Sequence, residues 1–313
     1  MSAAGLALGY GADLALGDPR RGHPVAAFGS VALAAERACY APSRVRGMAF
    51  AGVLIAGAAL VGEALARLAA RTGLGRQVAL AGVSWIALGG RSLRREATAI
   101  AAHLDAGEFE QARRALPALA GRDPEALDAD GIARAVVESV AENTSDAVVG
   151  VLLWGALAGP AGVAAHRAAN TLDAMVGHRS ERYARFGWAP ARLDDLLGWP
   201  AARAGAGLTV LCAPLAGGSR ARAWQTLRRD GGAHPSPNAG RMEAAFAGAL
   251  GLRLGGPLVY AGRTELRPQL GDGRRPAPAD IHRATRLSGA VGVAALAASV
   301  VLRASLNHVR SAR

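Results

Sequence analysis

The sequence predicts an all-α fold: a polytopic bundle of membrane helices, with re-entrant or half-length helices and amphipathic helices on the cytoplasmic side. Hydrophobic residues make up 51% of the 313 residues, but aromatic residues make up only 4%. Ala and Gly therefore contribute much of the apolar character, and small residues let helices approach closely in lipid. Apolar stretches of nearly bilayer length recur, and Arg-rich polar stretches separate them, as in cytoplasmic loops of membrane proteins.

The apolar stretches differ in length. Met48–Ala70 and Ala147–Ala165 are long enough to cross a bilayer. The polar link Arg71–Gln77 predicts that the stretches on either side of it form a helical hairpin. The shorter stretches fit a membrane or the interior of a soluble protein about equally well, and these are Ala3–Leu16, Val78–Gly90, Ala204–Gly218 and Leu287–Leu302.

The rest of the sequence is polar. We predict one integral-membrane domain over residues 1–313, with cytoplasmic-facing loops at about 91–146, 177–203 and 219–286. Asp123-Pro124 predicts the start of an amphipathic helix, with Asp as the cap and Pro in the first turn. The formal charge is +12 and every basic residue is Arg. These residues form no patch interleaved with aromatics, so nucleic-acid binding is not expected.

An acidic pattern precedes the Ala147–Ala165 stretch. Glu138, Glu142 and Asp146 are spaced four apart and would share one face of a helix, where like charges repel. Nothing nearby in the sequence compensates this repulsion, so a bound cation or a basic group of a substrate is implied. The alternative is a solvated acidic face, which the directly following apolar stretch makes less favourable.

A second polar group follows the same stretch. Arg167, Asn170 and Asp173 lie just beyond it, and Asn170 and Asp173 share a helix face. Polar groups at the edge of a membrane span are costly and usually functional. The alternative is the ordinary end of an interfacial helix.

A Pro-rich loop lies further along the chain. His234, Ser236 and Asn238 belong to the stretch HPSPNAG, in which Asn238 is a favourable N-cap for the helix that follows. A rigid loop that opens a helix N-terminus can bind an anion, so these residues are candidates for phosphate binding. A purely structural cap is the alternative, although it would need neither His234 nor Ser236.

A last group lies near the beginning of the chain. Asp13, Asp18 and His23 place two carboxylates and an imidazole at the edge of an apolar stretch, where they are candidates for binding metal or substrate. The Asp-Pro and His-Pro pairs in this region also fit ordinary turns.

Together these motifs resemble the CobD/CbiB family of adenosylcobinamide-phosphate synthases. The resemblance rests on five stretches in the family's order, and they are Asp13–Gly29, Glu138–Asp146, Arg167–Gly177, Arg192–Asp195 and His234–Gly256. It implies a multi-pass protein of the inner (cytoplasmic) membrane. It also implies ATP-dependent amide formation between adenosylcobyric acid and (R)-1-amino-2-propanol or its O-phosphate. A homo-oligomer and a complex with other corrinoid-pathway enzymes are both left open.

The resemblance implies ATP and Mg²⁺ as cofactors, with the corrinoid as substrate. Carboxylates would hold Mg²⁺ beside the phosphates, and a base would take the proton of the ammonium. The chain has no Gly-rich loop with Lys, so ATP binding rests on the resemblance alone. The metal candidates are Asp18, Asp146, Asn170 and Asp173; the cofactor candidates are Asn143, Arg167, His234, Ser236 and Asn238; the catalytic candidates are His23, Glu138 and Glu142.

The sequence departs from the family pattern at four positions. Ala147 stands where Gly is usual, His166 and His178 stand where an aromatic residue is usual, and Gly198 replaces an Asn after the Asp pair. A related family, tied to β-lactamase induction, shares the membrane architecture but should lack the full HPSPNAG loop, whose presence favours the enzyme. A membrane protein that binds or transports corrinoids, or one with a regulatory role, is the alternative function.

One prediction concerns geometry. As a straight helix, Ala147–Ala165 would cover roughly 28 Å and would put Asp146 and Asp173 on opposite faces of the membrane. Gly159-Pro160 breaks the helix pattern. We therefore predict a re-entrant hairpin that reverses there and brings the two carboxylates to within about 6 Å, a span that one metal ion can bridge.

Overall fold

The computed structural model describes residues 3–19, 22–72, 75–121, 124–125, 127–178, 180–260 and 263–311. The predicted start of a helix at Asp123 lies outside the described residues. The helices in chain order are α1 (Ala4–Leu16), α2 (Pro24–Cys39), α3 (Arg44–Arg71), α4 (Gly75–Ala87), α5 (Gly90–Asp105), α6 (Phe109–Ala115), α7 (Ala129–Thr144), α8 (Gly150–Leu172), α9 (Tyr183–Phe186), α10 (Trp188–Cys212), α11 (Arg220–Asp230), α12 (Ala239–Leu250) and α13 (Pro278–Ser311). The predicted all-α class is confirmed.

The chain folds as two compact units. Unit 1 comprises Met1–Gly89, Asp146–Ala201 and Ala295–Arg313, and unit 2 comprises Gly90–Ser145 and Ala202–Ala294. In unit 1, α3 packs along α8, and α4 packs against both α1 and α3. In unit 2, α12 packs against α11 and α7, and α5 packs against α7.

Four helical stretches are long and apolar enough to cross a membrane, and they are Arg44–Arg71, Ala129–Gly177, Trp188–Ala216 and Pro278–Val309. Among these four stretches, helix α3 has the smallest buried share. Val53 and Leu60 each expose 70% of their surface, while few residues of this helix are buried. An apolar surface of this extent is unfavourable in water and favourable in lipid. The chain is therefore a membrane protein.

Glycines at helix contacts in unit 1 explain the aromatic-poor composition. Gly5 of α1 lies against the backbone of Gln77, and Gly62 of α3 lies against the carbonyl of Pro160. A Cβ at either glycine would come closer to that backbone than van der Waals contact allows. These contacts show the close backbone approach that small residues make possible between membrane helices. The predicted α3–α4 hairpin is likewise confirmed by the packing of the two helices.

Helix α8 consists of two half-helices that reverse at Gly159. By continuity of helical residues alone, Ala129–Gly177 counts as one stretch of 49 residues. Gly159, however, has φ 66° and ψ −152°, which is not helical, and Pro160 follows it. His166 Nε2 lies 2.9 Å from the carbonyl oxygen of Asp146, although twenty residues of straight helix would separate them by about 30 Å. The predicted reversal at Gly159-Pro160 is confirmed, whereas the distance of about 6 Å between the Asp146 and Asp173 carboxylates stays a prediction.

The polar stretch at about 219–286 is more ordered than the predicted loop. It contains α11, α12 and an antiparallel two-stranded sheet, β1 (Leu254–Tyr260) and β2 (Arg263–Leu270). The sequence analysis did not predict this sheet. Helix α12 ends at Leu250 because Gly251 adopts the left-handed conformation, with φ 70°, a common C-terminal signal.

Candidate catalytic site

Four side chains of unit 1 meet at the open end of the α8 hairpin. Asn170 Nδ2 donates to Asp146 Oδ2 at 3.4 Å, and the Asn170 side chain also donates to Asp194. Asp194, on α10, lies within electrostatic range of Asp146 and Asp173. We call Asp146, Asp173, Asp194 and Asn170 the carboxylate cluster. Three acidic groups that repel one another in a largely apolar unit are a candidate cation site.

Two of the three aspartates predicted to bind metal, Asp146 and Asp173, lie on π-helical turns. Asp146 belongs to the turn Ser145–Val149, and Asp173 begins the turn Asp173–Gly177. A π turn re-aims the side chains of a helix and is frequent at functional sites. In the second turn, Asp173 Oδ1 occupies the space that a Cβ at residue 177 would need. A glycine at residue 177 therefore lets the Asp173 carboxylate fold back against its own helix.

Arg167 provides positive charge beside the carboxylate cluster. It interacts electrostatically with Asp18, Asp146 and Asp194, and its Nη1 donates to Asn170 Oδ1 at 3.0 Å. Asn170 thus accepts from the guanidinium and donates to two carboxylates, which fixes the orientation of its amide. Within the described part of the chain, Asp18 Oδ1 and Arg167 Nε are buried without a hydrogen-bond partner. Asp18 therefore lies within electrostatic range of Arg167, and its predicted role in metal binding stays a prediction.

His166 holds the two half-helices together. Its ring is buried and fills the space beside Gly150 where a Cβ would otherwise lie. Because a carbonyl oxygen can only accept, Nε2 carries the proton that binds the Asp146 carbonyl at 2.9 Å. Among the described residues, Nδ1 has no hydrogen-bond partner. His166 therefore positions the backbone next to the Asp146 carboxylate.

The donor set of the carboxylate cluster suits Mg²⁺. Its three carboxylates offer oxygen ligands, and Asp194 is repelled by the other two; Asn170, by contrast, donates with its amide nitrogen, so its predicted role as a metal ligand is not supported by this geometry. Over the described ranges, no group of three or more His, Cys, Asp or Glu side chains is arranged as a complete metal site. Mg²⁺ commonly uses one or two carboxylates together with water and substrate phosphates, so an incomplete protein site fits this ion.

The acidic residues of α7 belong to unit 2 and differ from one another. Glu138 is buried, and its Oε1 accepts a hydrogen bond of 2.7 Å from the backbone N–H of Gly255, at the start of β1. Glu142 is exposed. Asn143 donates from Nδ2 to the carbonyl of Ser139 at 3.0 Å. Glu138 and Asn143 therefore make structural contacts within unit 2, which the i, i+4 pattern did not reveal.

His23 has a structural contact as well. It is the N-cap of α2, and its Nδ1 accepts from the backbone N–H of Val25 at 3.2 Å. An imidazole that accepts at Nδ1 carries its proton on Nε2, so as a neutral ring it has no second nitrogen available as a base. This geometry weighs against the catalytic role that the sequence suggested for His23.

The Pro-rich loop of unit 2 is capped differently from the prediction. Ser236 Oγ accepts from the backbone N–H groups of Asn238, at 3.4 Å, and Ala239, at 3.1 Å. Asn238 occupies the N-cap position, but its Oδ1 accepts from Arg203 Nη1 at 3.2 Å. Asn238 therefore lies at the predicted N-cap position, but the hydroxyl of Ser236, and not the side chain of Asn238, accepts from the backbone N–H groups.

His234 completes this loop. Its Nδ1 accepts from the backbone N–H of Ser236 at 3.0 Å, and its Nε2 lies 2.8 Å from Arg267 Nη1 and 4.0 Å from Glu243 Oε1. A neutral imidazole accepts at only one nitrogen, so Ser236 and Arg267 compete for this ring. The backbone N–H groups of Asn238 and Ala239 are already satisfied by the Ser236 hydroxyl.

Comparison with known proteins decides the family. The family described as CobD/Cbib protein matches residues 6–288. A protein of Mycobacterium tuberculosis named "Cobalamin biosynthesis protein CobD" is 50% identical over 303 residues, which cover 96% of each chain. Proteins of the same name are 43% identical over 295 residues in Rhodobacter capsulatus, covering 91% of this chain and 92% of that one, and 42% identical over 313 residues in Pelobacter propionicus, covering 95% of each.

The chain belongs to the CobD/CbiB family. Its role therefore lies in cobalamin biosynthesis, as the resemblance of its motifs predicted, and the alternative of a transport or regulatory protein is not favoured. No solved structure matches the chain. The α8 hairpin and the carboxylate cluster both lie inside the stretch that matches the family.

The four departures from the CobD/CbiB pattern have different surroundings. His166 lies inside the hairpin, whereas His178 is exposed and packs edge-on against Tyr183, with 4.9 Å between ring centroids. Ala147 is buried, and its carbonyl accepts from the N–H of Gly89 at 3.2 Å. Gly198 is buried within α10. Of the four, only His166 bears directly on the geometry of the carboxylate cluster.

Asp194 is the member of the cluster that the sequence analysis did not assign to a site. It belongs to an acidic pair in α10, whose second member, Asp195, accepts from Arg192 Nη1 at 3.4 Å. Both carboxylates lie within a stretch apolar enough to cross a membrane. A carboxylate within a membrane-spanning stretch is energetically costly and usually functional. This is the signal from which Asp194 could have been recognised in the sequence.

Proposed function

We propose that this chain is an ATP-dependent amide ligase. It joins (R)-1-amino-2-propanol or its O-phosphate to a carboxylate of adenosylcobyric acid and gives adenosylcobinamide or its phosphate. Membership of a family of cobalamin biosynthesis proteins supports the pathway. The observation that carries the chemistry is the carboxylate cluster with Arg167 beside it, because this reaction handles a metal–phosphate complex, a carboxylate and an ammonium group.

The first step activates the corrinoid carboxylate. A carboxylate oxygen attacks the γ-phosphorus of ATP, the bond to the β-phosphate oxygen breaks, and an acyl phosphate and ADP form. Asp146 and Asp173 would hold Mg²⁺, which when bound would offset the negative charge of the phosphates. Arg167 would bind the carboxylate or phosphate oxygens of the substrates, since its guanidinium donates to two oxygens at once.

The second step forms the amide. The amine nitrogen attacks the acyl carbon, inorganic phosphate leaves, and the nitrogen loses a proton. Asp194 is the carboxylate of the cluster that is not assigned to the metal, so we propose that it takes the proton of the ammonium. Asn170 orients both parts of the site, because it donates to Asp146 and to Asp194.

The remaining parts of the proposal concern location and partners. We propose that the protein lies in the cytoplasmic membrane and that the lipid bilayer surrounds its apolar helices. The site is open to ATP from the cytoplasm. Binding of nucleotide phosphates by the loop of His234, Ser236 and Asn238 stays a prediction, and Arg203 and Arg267 would supply the positive charge there. Self-association and a complex with other corrinoid-pathway enzymes also stay predictions.

The test is a reaction of purified components. The protein in detergent or nanodiscs is incubated with adenosylcobyric acid, Mg-ATP and either amine, and the products are identified by mass spectrometry. The proposal requires amide product and ADP in equal amounts, and the preferred amine shows whether the phosphorylated form is used.

The alternative function gives another result. A corrinoid-binding or transport protein would bind adenosylcobyric acid and leave ATP and amine unchanged. The same reaction without amine serves as the control, since ADP formed without amine would report hydrolysis rather than ligation. Absence of amide with both amines, from protein that binds the corrinoid, would rule out the ligase.

A further inference from the structure

Arg303 is the largest fully buried side chain of unit 1. Only 1% of its surface is exposed, and it lies on α13 in the stretch Pro278–Val309, which is apolar enough to cross a membrane. A charged group in such a place is costly unless it is paired or hydrogen-bonded. The proposed reaction uses none of its atoms, so its burial needs a separate explanation.

The hydrogen bond of Arg303 provides that explanation. Its Nη1 donates to the carbonyl oxygen of Ala156 at 2.8 Å. Ala156 lies four residues before Pro160, which has no N–H and cannot donate to it. Gly159, with φ 66°, ends the first half-helix. The last carbonyls of that half-helix therefore lack intrahelical donors, and Arg303 serves one of them.

The charge of Arg303 suits this position as well. The C-terminus of a helix carries a partial negative charge, and a cation beside it is stabilising. In a membrane, non-helical backbone is tolerated only where it is buried in protein and its polar groups are satisfied. A guanidinium supplies both a donor and a positive charge at the point where the hairpin reverses.

We propose that Arg303 is a positioning residue that holds the tip of the α8 hairpin closed. The tip lies about 20 Å from Asp146 along the first half-helix. Closure of the tip fixes the angle between the half-helices, and that angle sets the distance between Asp146 and Asn170 at the open end. The role of Arg303 in the hairpin stands without the proposed function, whereas its effect on ligation rests on it.

The test measures the hairpin directly by hydrogen–deuterium exchange of the full-length protein in nanodiscs. Arg303→Leu removes donor and charge, and Arg286→Leu is the matched control on an exposed Arg of the same helix. In Arg303→Leu we expect amides 154–165 to exchange at least about 10-fold faster, because local opening governs exchange. We expect the peptides of α12 in unit 2 to keep the parental rate, and Arg286→Leu to leave both regions unchanged.

Two further variants separate the parts of the role. Arg303→Lys keeps a cationic donor and should restore most of the protection, while Arg303→Gln keeps a neutral donor and should restore less. Protection of residues 154–165 within about 2-fold of the parent in both Arg303→Leu and Arg303→Gln would overturn the proposal. If Arg303→Leu does not fold, Arg303→Gln decides: equal loss of protection throughout both units would show a general structural role and would also overturn it.

Ligase activity is measured on the same samples as a separate readout. Parental protein that forms no amide would contradict the proposed function and leave the exchange result intact. If the parental protein is active and Arg303→Leu opens at the tip, Arg303→Leu should have a lower kcat than the parent. Arg303→Lys should recover that kcat, because the reacting groups in Arg303→Leu are misplaced rather than absent.

Discussion

The carboxylate cluster of unit 1 and the Pro-rich loop of unit 2 are both rich in polar groups, but they differ in what their polar side chains face. In the loop, the His234 ring and the Ser236 hydroxyl accept from backbone N–H groups of the same loop. In the cluster, Asn170 donates to Asp146 and Asp194, Arg167 interacts electrostatically with the same two carboxylates, and Asp194 is repelled by Asp146 and Asp173. Polar side chains alone therefore do not indicate a reactive site. Carboxylates that are held close enough to repel one another do indicate one.

The largest expected effect concerns the cluster. Asp146→Asn should lower kcat/KM of ligation at least about 100-fold, because loss of a metal-binding carboxylate costs as much as loss of its supporting groups or more. Thermal stability should change little, since the substitution removes a repulsive charge together with a favourable contact to Arg167. Asp195→Asn is the matched control, because the Asp195 carboxylate accepts a hydrogen bond from Arg192 and is not a member of the cluster. Equal activity of Asp146→Asn and the parent would contradict the assignment.

The second effect concerns the turn that assembles the cluster. Gly159→Ala should destabilise the protein by about 1–3 kcal/mol, since φ 66° with ψ −152° is a backbone conformation that essentially only glycine adopts. Gly52→Ala, on α3, is the control, because a Cβ there meets nothing within 4 Å. The midpoint of thermal unfolding in detergent measures the difference. Similar midpoints for the two variants would show that the reversal does not depend on this conformation.

A smaller effect distinguishes the loop from the cluster. Ser236→Ala should cost about 1 kcal/mol of stability, because the hydroxyl caps α12, and Asn238→Ala should cost less. If the loop is structural, both variants keep the parental KM for ATP. A KM for ATP that rises at least about 10-fold in Asn238→Ala would instead show that the loop binds nucleotide phosphates, since such a rise corresponds to about 1.4 kcal/mol of lost binding.

The smallest effect concerns pH and unit 2. The hydrogen bond from Arg229, together with the N–H of Gly271, holds the pKa of Asp230 below its ordinary 3.8. A depressed pKa adds stability above the unfolded value and loses it as pH falls through the folded value. Parental protein should therefore lose stability below pH 3.8 more steeply than Asp230→Asn. Parallel acid-unfolding curves for the two proteins would contradict this contribution, which partial exposure keeps small.

Much of the fold could be predicted because it depends on local chemistry. Met48–Ala70 lies within the span Arg44–Arg71, since length and apolar character decide the fate of a membrane helix. The Gly159-Pro160 reversal followed from backbone restrictions of two residues. The β1–β2 hairpin was missed, because Gly255 and Gly256, both with positive φ, disrupt any regular alternation that would indicate a strand.

The site was predicted less completely than the fold. Asp146 and Asn170 could be named from the sequence because they flank the Ala147–Ala165 stretch, and a hydrogen bond joins them in the structure. The metal-binding role of Asp18 stays a prediction. Glu138 was misleading, since its partner, the N–H of Gly255, is 117 residues away in sequence. The roles of Asp194 and Arg303 were not predicted for the same reason, because both roles depend on contacts with helices that are distant in sequence.

The most direct test of the account concerns the reversal of α8 itself. Gly150→Cys and His166→Cys are combined in a protein without Cys39 and Cys212, and a short bifunctional thiol reagent is added in the membrane. The hairpin predicts efficient cross-linking, because the His166 ring lies against Gly150. A continuous helix would separate the two positions by about 24 Å, and absence of the cross-link from protein whose single cysteines both react would contradict the account.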